Sequence, residues 1–305
     1  PMLNLDRATL THYAERVRLD WVDDPMNQDR RLSRAYLRHE IMPWVRAHWP
    51  AVTRTLARSA ENAAEAKDLL EQLARADLER MGWTPAHPET LSIEQLSALV
   101  APRQRNALRY WLSACGVSAP SRIRLQRILD EVVRARSGRQ PRVAWSGGSV
   151  RRHRGLLVLV RSLPSIDPEF EAALDLGQIL QLPDGSRVWL ESRADGLLDA
   201  GCLDEAGLSV AYRRAGARLR PPLRTGSTSV NRLLQSAGVP VWLRDRIPIL
   251  YQGERVLAVG ERWVDRRFMS RPGQPALSFR WQNESRFDTL LARIQSGRSN
   301  VGRTT

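Results

Sequence analysis

The stretch Asp24-Pro-Met-Asn-Gln-Asp-Arg-Arg-Leu-Ser-Arg-Ala-Tyr-Leu-Arg-His-Glu-Ile-Met-Pro43 decides how the rest of the chain is read. Asp23, Asp24 and Pro25 break the preceding chain, and Asn27 and Asp29 offer side chains suited to cap a helix. Leu32, Tyr36, Leu37 and Ile41 recur at helical spacing and predict a buried stripe. Arg30, Arg34 and Arg38 stand four apart and predict a row of guanidiniums on another face. Pro43 is expected to end or kink the helix. A solvated surface helix accounts for this pattern as well as a binding helix does.

Composition narrows the classes of partner. The net charge is +14 over 305 residues, and Lys67 is the only lysine among 47 basic residues. Genomic bias toward arginine explains part of that usage, whereas a surplus of this size over Asp and Glu favours a polyanionic partner. Cys115 and Cys202 lack paired spacing, which argues against a disulfide framework or zinc knuckle and fits a reducing, cytoplasmic setting. The five histidines show no metal-ligand spacing. No apolar run approaches the roughly 20 residues of a membrane span, so no membrane partner is expected. The opening Pro1, in place of methionine, suggests a piece of a longer protein.

Outward from the opening stretch, residues 1–22 read as a strand or turn, an amphipathic helix (Leu10, Tyr13, Ala14, Val17) and a short apolar end. After Pro50, some thirty residues free of Gly and Pro predict one helix about 45 Å long. Leu56, Ala60, Ala63, Leu70, Leu73 and Ala74 form its seam; a spacer arm and a member of a helical bundle both fit. Three helices follow the Pro-containing linker at 82–89. Ser92 and Gln95 have capping-box spacing, Pro102 suits a first turn, and Ser121 is placed to cap the third. Arg142–Trp145, a turn at Ser146–Ser149 and a strand from Val150 then predict a hairpin. Between Arg122 and Arg154 ten arginines face only Asp130 and Glu131, a local imbalance that points to RNA contact. Beyond an acidic linker, residues 178–191 alternate around Asp184-Gly185, a hairpin signal. Leu208–Arg214 is a further strand, a helix starts near Ser229, and strands at Ile247–Tyr251 and Arg255–Val259 flank Gln252-Gly253. The polar tail, 285–305, reads as disordered.

Two segments carry a resemblance. Asp24, Pro25, Asn27, Asp29, Arg34, Arg38 and Pro43 resemble the segment that closes the N-terminal domain of bacterial tRNA(Ile)-lysidine synthases, with Ala35 where that family usually has asparagine. Gly238-Val-Pro-Val-Trp-Leu-Arg-Asp245, after a helix and before an apolar strand, resembles the same family's C-terminal domain. The arginine-rich order from Arg103 to Arg154 is similar to its substrate-recognition domain, with His153 at a place often aromatic. Ser146-Gly-Gly-Ser149 is not that family's nucleotide loop: no aspartate follows, and a strand pattern replaces the helix such a loop needs.

The resemblance implies a multi-domain chain, mainly α with α/β. The expected order is the end of a PP-loop catalytic domain (1–50), a helical linker (51–85) and a helical tRNA-recognition domain with a β-hairpin (86–162). An α/β C-terminal domain with a mixed sheet (176–284) and the tail follow. It implies ATP-dependent ligation of free lysine to C2 of the wobble cytidine of a tRNA(Ile) with a CAU anticodon. ATP and Mg²⁺ would be held by a part upstream of Pro1, so the chain alone is expected to bind tRNA without turnover. Arg34 and Arg38 are the expected catalytic-edge residues, holding substrate or transition-state charge. Arg105, Arg109, Arg122, Arg124, Arg127, Arg151, Arg152, Arg154, Arg213, Arg214, Arg224 and Arg232 are the expected tRNA contacts. A homodimer is compatible with this reading. A packed turn with an internal Arg–Asp pair accounts for Trp242 and Asp245 without any ligand. A stand-alone, non-catalytic RNA-binding protein is the alternative.

Overall fold

The computed structural model describes residues 5, 7–22, 24–86, 88–118, 120–136, 138–161, 163–202, 207–222, 226–271 and 273–282. The tail at 285–305, Asp23 and Arg224 lie outside these residues. The chain separates into two compact units, residues 1–70 and 71–305.

Unit 1 holds α1 (Arg7–Arg16), α2 (Ser33–Tyr36), α3 (Met42–His48) and the greater part of α4 (Val52–Arg80). The sequence places one capped helix between Asp24 and Pro43; the structure differs in three ways. Asp24, not Asn27, is the first cap: its Oδ1 accepts from Met26 N at 2.8 Å and starts a single 3₁₀ turn, Pro25–Asn27. Asp29 is forked by Arg31, with Nε–Oδ1 2.9 Å and Nη2–Oδ2 2.8 Å, and the helix starts only at Ser33. Pro43 does not stop it. A π-helical segment, Leu37–Ile41, leads into α3, where Pro43 occupies the first turn and its missing N–H is harmless. The predicted apolar stripe is exposed: Leu32, Tyr36, Leu37 and Ile41 are 40–51% accessible, and Ala35 is the one buried residue among those described in this unit. Within unit 1 the described residues provide no core for that stripe to enter.

Helix α4 confirms the long Gly- and Pro-free pattern, but not its seam. Leu56, Leu70 and Leu73 are exposed, and only Ala74, Asp77 and Leu78 are buried. In unit 2 that last stretch packs on α5 (Ile93–Ser97), α6 (Ala101–Ala114), α7 (Arg122–Arg127) and the π-helical continuation Ile128–Val133. Ser92 Oγ accepts from Gln95 N, and Pro102 sits in the first turn of α6, as the spacing predicts. Ser121 precedes α7 without a side-chain cap. Trp111, Leu108, Leu112, Leu125, Ile128 and Leu129 are fully buried. The Pro88 carbonyl gathers Trp83 Nε1 (3.1 Å), Trp111 Nε1 (2.6 Å) and Cys115 Sγ (3.1 Å), so three side-chain donors of this corner are satisfied at one point. Burial pushes the Cys115 thiol up to about 12, which makes it a core residue rather than a nucleophile.

A four-stranded antiparallel sheet covers these helices, in the order β1 (Thr90–Ser92), β4 (Leu156–Val160), β3 (Gly148–His153), β2 (Arg142–Trp145). The Ser146–Ser149 stretch is a hairpin turn, with Trp145 paired to Gly148. The single strand expected after Val150 is two, because Arg154 (φ 46°) and Gly155 (φ 80°) make a left-handed two-residue turn between β3 and β4. Strand β1 was not anticipated.

The C-terminal part forms a five-stranded and a four-stranded sheet around one core. The first runs β14 (Trp263–Val264), β13 (Arg255–Val259), β12 (Ile249–Gln252), β9 (Ser209–Ala211), β5 (Glu171–Ala173). The second runs β6 (Ile179–Gln181), β7 (Arg187–Ser192), β15 (Ala276–Gln282), β8 (Leu198–Asp199). A two-stranded ribbon, β10 (Arg218–Leu219) and β11 (Thr228–Ser229), precedes α8 (Val230–Ser236) and α9 (Val241–Arg244). Every ladder among the described residues is antiparallel, where a mixed sheet was expected. Leu190, Phe279 and Trp281 of one sheet and Val210, Leu250 and Leu257 of the other share the core with Leu234.

Candidate nucleic-acid interface

Arg34 and Arg38 both project into solvent, from α2 and the π-helical segment. Arg30 is not part of their row: it lies in the turn before α2 and pairs with Glu40 at 2.6 Å.

The predicted tRNA contacts divide by what holds them. Arg109, Arg122, Arg124 and Arg232 are exposed, and their guanidiniums have no protein partner among the described residues. Arg105 reaches Gln126 Oε1 at 3.4 Å. Arg127 forks Glu131 at 2.6 and 3.2 Å, one turn along its own helix, and this bond holds the Glu131 carboxyl below its ordinary range. Arg213 grips Asp245 at 2.7 and 3.1 Å, so the Arg–Asp pair expected at the Trp-Leu-Arg-Asp turn forms with an arginine from outside the turn. Arg214 donates to Glu171 (2.6 Å) and to the Gly253 carbonyl (3.0 Å), while lying over the Tyr251 ring at 4.2 Å. Its role is to clasp β5 to the β12–β13 turn.

The three arginines of β3 and its turn are also engaged. Arg152 Nη1 donates to the carbonyls of Val133 (2.9 Å) and Ala135 (2.7 Å), closing the end of the π-helical segment where carbonyls lack helical partners. Arg151 lies over Trp242 with its Cζ 4.9 Å from the ring centroid. Burial, and then Arg142, lower its affinity for a proton. Arg154 Nη2 donates to Gln235 O at 3.1 Å. Beside it, His153 Nε2 donates to Gly238 O at 2.9 Å and meets the Trp242 ring edge-on, at 81° and 5.9 Å. Burial is the largest cause of a lowered His153 pKa; the Gly238 carbonyl opposes it, and Arg154 and Arg244 add to it. These contacts join the β3–β4 turn to the α8–α9 loop.

The result is a basic seam joining the sheet of the helical domain to the C-terminal domain. Arg142, Arg151, Arg154, Arg161, Arg244 and Arg246 all approach it, and they come from chain segments about a hundred residues apart. Sequence reading found Arg151 and Arg154 but not Arg142, Arg161 or Arg246. Only the fold brings those three together; no local spacing marks them.

The comparisons with known proteins fit this layout. Residues 91–158 match the family profile of the TilS substrate binding domain, 208–281 that of the TilS substrate C-terminal domain, and 1–45 that of a PP-loop domain. A tRNA(Ile)-lysidine synthase of Methylococcus capsulatus is 35% identical over 282 residues, 92% of this chain and 64% of the relative. Those of Coxiella burnetii (33% over 259 residues; 85% and 57%) and Alkalilimnicola ehrlichii (35% over 276 residues; 90% and 60%) are similar. The chain thus spans 57% to 64% of the length of these relatives. A solved structure titled as a TILS C-terminal domain is 22% identical, covers 38% of this chain and 97% of its own, and superposes at a TM-score of 0.32.

Proposed function

Because the chain belongs to the tRNA(Ile)-lysidine synthase family, we propose that it supplies the tRNA-gripping part of an ATP-dependent carbon–nitrogen ligase. The parent reaction joins free lysine to C2 of the wobble cytidine of a tRNA(Ile) with a CAU anticodon. The observation that carries this reading is the set of unpaired guanidiniums on α6, α7 and α8, within regions that match the family's substrate-binding and C-terminal domains.

Arg109, Arg122, Arg124 and Arg232 are the proposed direct phosphate contacts, since no carboxylate competes for them. Arg105, Arg127, Arg151, Arg152, Arg154, Arg213 and Arg214 shape the surface and add to its potential while holding protein groups; Arg224 belongs to the same set by sequence. Arg34 and Arg38 are proposed to stabilise substrate or transition-state charge at the edge of the catalytic domain.

ATP and Mg²⁺ are not placed on the residues described here. Asp24 is engaged as a turn cap and Asp29 by Arg31, and the single Ser-Gly-Gly of the sequence is the β2–β3 turn. The chain by itself is therefore proposed to bind tRNA without ligating lysine. A cytoplasmic setting belongs to the same proposal; no helix among the described residues is long and apolar enough to cross a membrane. Pairing of two parent chains belongs to the same reading, and the mass of the parent in solution checks it.

Filter binding of tRNA(Ile) with a CAU anticodon, against a tRNA with a different anticodon and acceptor stem, tests the proposal at two salt concentrations. A preference that survives added salt supports recognition. Equal affinity for every polyanion, collapsing with salt, refutes it.

A further inference from the structure

A cleft of about 370 Å³ opens where the β2–β3 hairpin and the end of β4 meet Trp242 of α9. Arg142, Arg151, Arg161 and Arg246 line it, and no Asp or Glu does. Two other arginine-lined clefts hold carboxylates, Asp195 and Glu261 in one, Asp130 and Glu131 in the other. Arg127 faces Glu131, Arg193 faces Asp195, Arg213 faces Asp245 and Arg267 faces Asp265. In the cleft, Arg161 and Arg246 are each held by one backbone carbonyl, Cys115 O at 2.5 Å and Pro164 O at 2.6 Å. Arg151 rests on the Trp242 ring, and Arg142 is exposed with no side-chain partner among the described residues.

Three lining groups also carry a buried N–H without an acceptor: Trp145 Nε1, Arg151 Nε and Trp242 Nε1. Buried donors are nearly always satisfied in folded proteins, so three around one opening mark a missing partner. Four cations gathered without a counter-charge repel one another. Both features are answered by one ligand that is anionic and rich in acceptor oxygens. Planar guanidinium forks fit phosphate well, and the volume admits a phosphodiester with part of its sugar, far more than a halide needs. Small rotations of the rings and forks, ordinary at a binding surface, bring the closed-off N–H groups onto the oxygens.

We infer that this cleft holds one backbone phosphodiester of the bound tRNA, at the seam between the helical and C-terminal domains. The inference deepens the tRNA-binding reading and rests on it. A phosphate seated there touches both domains, so tRNA binding also fixes their mutual setting.

The test uses the full chain, with tRNA titrated at several salt concentrations. Arg142→Gln is the main variant, because Arg142 holds no protein group and its loss leaves the fold intact. Arg142→Lys keeps the charge, and Arg271→Gln removes an exposed charge outside the cleft. Losing one phosphate contact lowers the slope of log affinity against log salt by about 1. Arg142→Gln is expected to show that change with a roughly three- to tenfold weaker affinity at moderate salt; Arg142→Lys and Arg271→Gln keep the slope near wild type. The indole N–H resonances of Trp145 and Trp242 shift on adding tRNA to the wild-type chain. Normal tRNA binding with an unchanged Arg142→Gln slope and unmoved indoles overturns the inference and leaves the tRNA-binding reading standing. Movement of the indoles with inorganic phosphate but not with tRNA overturns the assignment to tRNA. A wild-type chain that binds no tRNA overturns both.

Discussion

Gly238→Ala is the sharpest probe of the seam. Gly238 has φ +86°, a left-handed conformation that costs an L-residue about 1 kcal/mol or somewhat more. A methyl group there would also stand 2.7 Å from Arg154 Cζ and 3.2 Å from Nη2, with Nη1 closer still. No side chain tolerates that approach, so Arg154 must swing out. It then gives up its bond to Gln235 O, a charge-assisted bond worth roughly 0.5–1 kcal/mol once its exposure is discounted. The sum is about 2 kcal/mol, which at a urea m-value of about 2 kcal/mol/M moves the midpoint down by about 1 M. The assay is urea unfolding followed by tryptophan fluorescence, with hydrogen exchange at the Gly238 and Val239 amides as a local readout. Arg154→Ala alone should cost less than Gly238→Ala. The double variant should cost less than the two single changes added, because the clash disappears with the side chain. An unchanged midpoint for Gly238→Ala, or strict additivity in the cycle, refutes this account of the seam.

Two further outcomes follow from titratable groups. His153 has a lowered folded pKa, so the unfolded chain takes up a proton first: the stability it supports is complete above the ordinary value of 6.5 and is lost as pH falls through the lower folded value. His153→Gln, which retains a donor for Gly238 O, should flatten the stability profile just below pH 6.5; an unchanged profile in that window would exclude His153 as its source. At Asp265, burial alone would raise the pKa, but bonds from Arg267 Nε and Nη2 (3.0 Å each), Arg267 N (3.0 Å) and Arg220 N (2.9 Å) outweigh it and hold the carboxyl low. Its contribution is therefore present above the ordinary 3.8 and disappears as pH falls below that. Asp265→Ala should cost about 2–3 kcal/mol at neutral pH in calorimetry, less than for a fully buried pair because the Arg267 side chain is 43% exposed. A loss under 0.5 kcal/mol would show that water replaces the carboxylate freely.

Legibility in the sequence followed the range of the interactions involved. Helix α4, the Ser92 cap, Pro102, the Arg142–Trp145 strand and the Asp184-Gly185 hairpin were readable because each is settled by residues within a few positions of one another. What failed was non-local. Leu32, Tyr36, Leu37 and Ile41 have the period of a buried face, yet a period says which residues share a face and not whether anything covers it. Pro43 was read as ending or kinking the helix because the possibility of a π-helical step before it leaves no mark in hydrophobic spacing. Strand β1 is three residues long and exists only because Leu156–Val158 lie beside it. The Arg–Asp pair behind Trp242 was legible as a pair, but its arginine stands 32 residues away and was not identifiable.

The same division governs the arginines. Read as charges, all of them argue for a polyanion. Placed in the fold, Arg152, Arg161, Arg244 and Arg246 each turn one nitrogen onto backbone carbonyls, so these guanidiniums already hold protein groups. A chain with one lysine therefore uses guanidiniums for two tasks, and net charge overstates the number free to meet a ligand. Among the exposed arginines that meet no protein group, Arg109, Arg122, Arg124 and Arg142 lie in the segment matching the TilS substrate binding domain profile and Arg232 in the segment matching the TilS substrate C-terminal domain profile. If affinity for tRNA lies in that set, replacing its members should lower the salt slope stepwise. Replacing Arg152 should instead lower stability and leave the slope nearly where it was, since its Nη1 already holds the carbonyls of Val133 and Ala135.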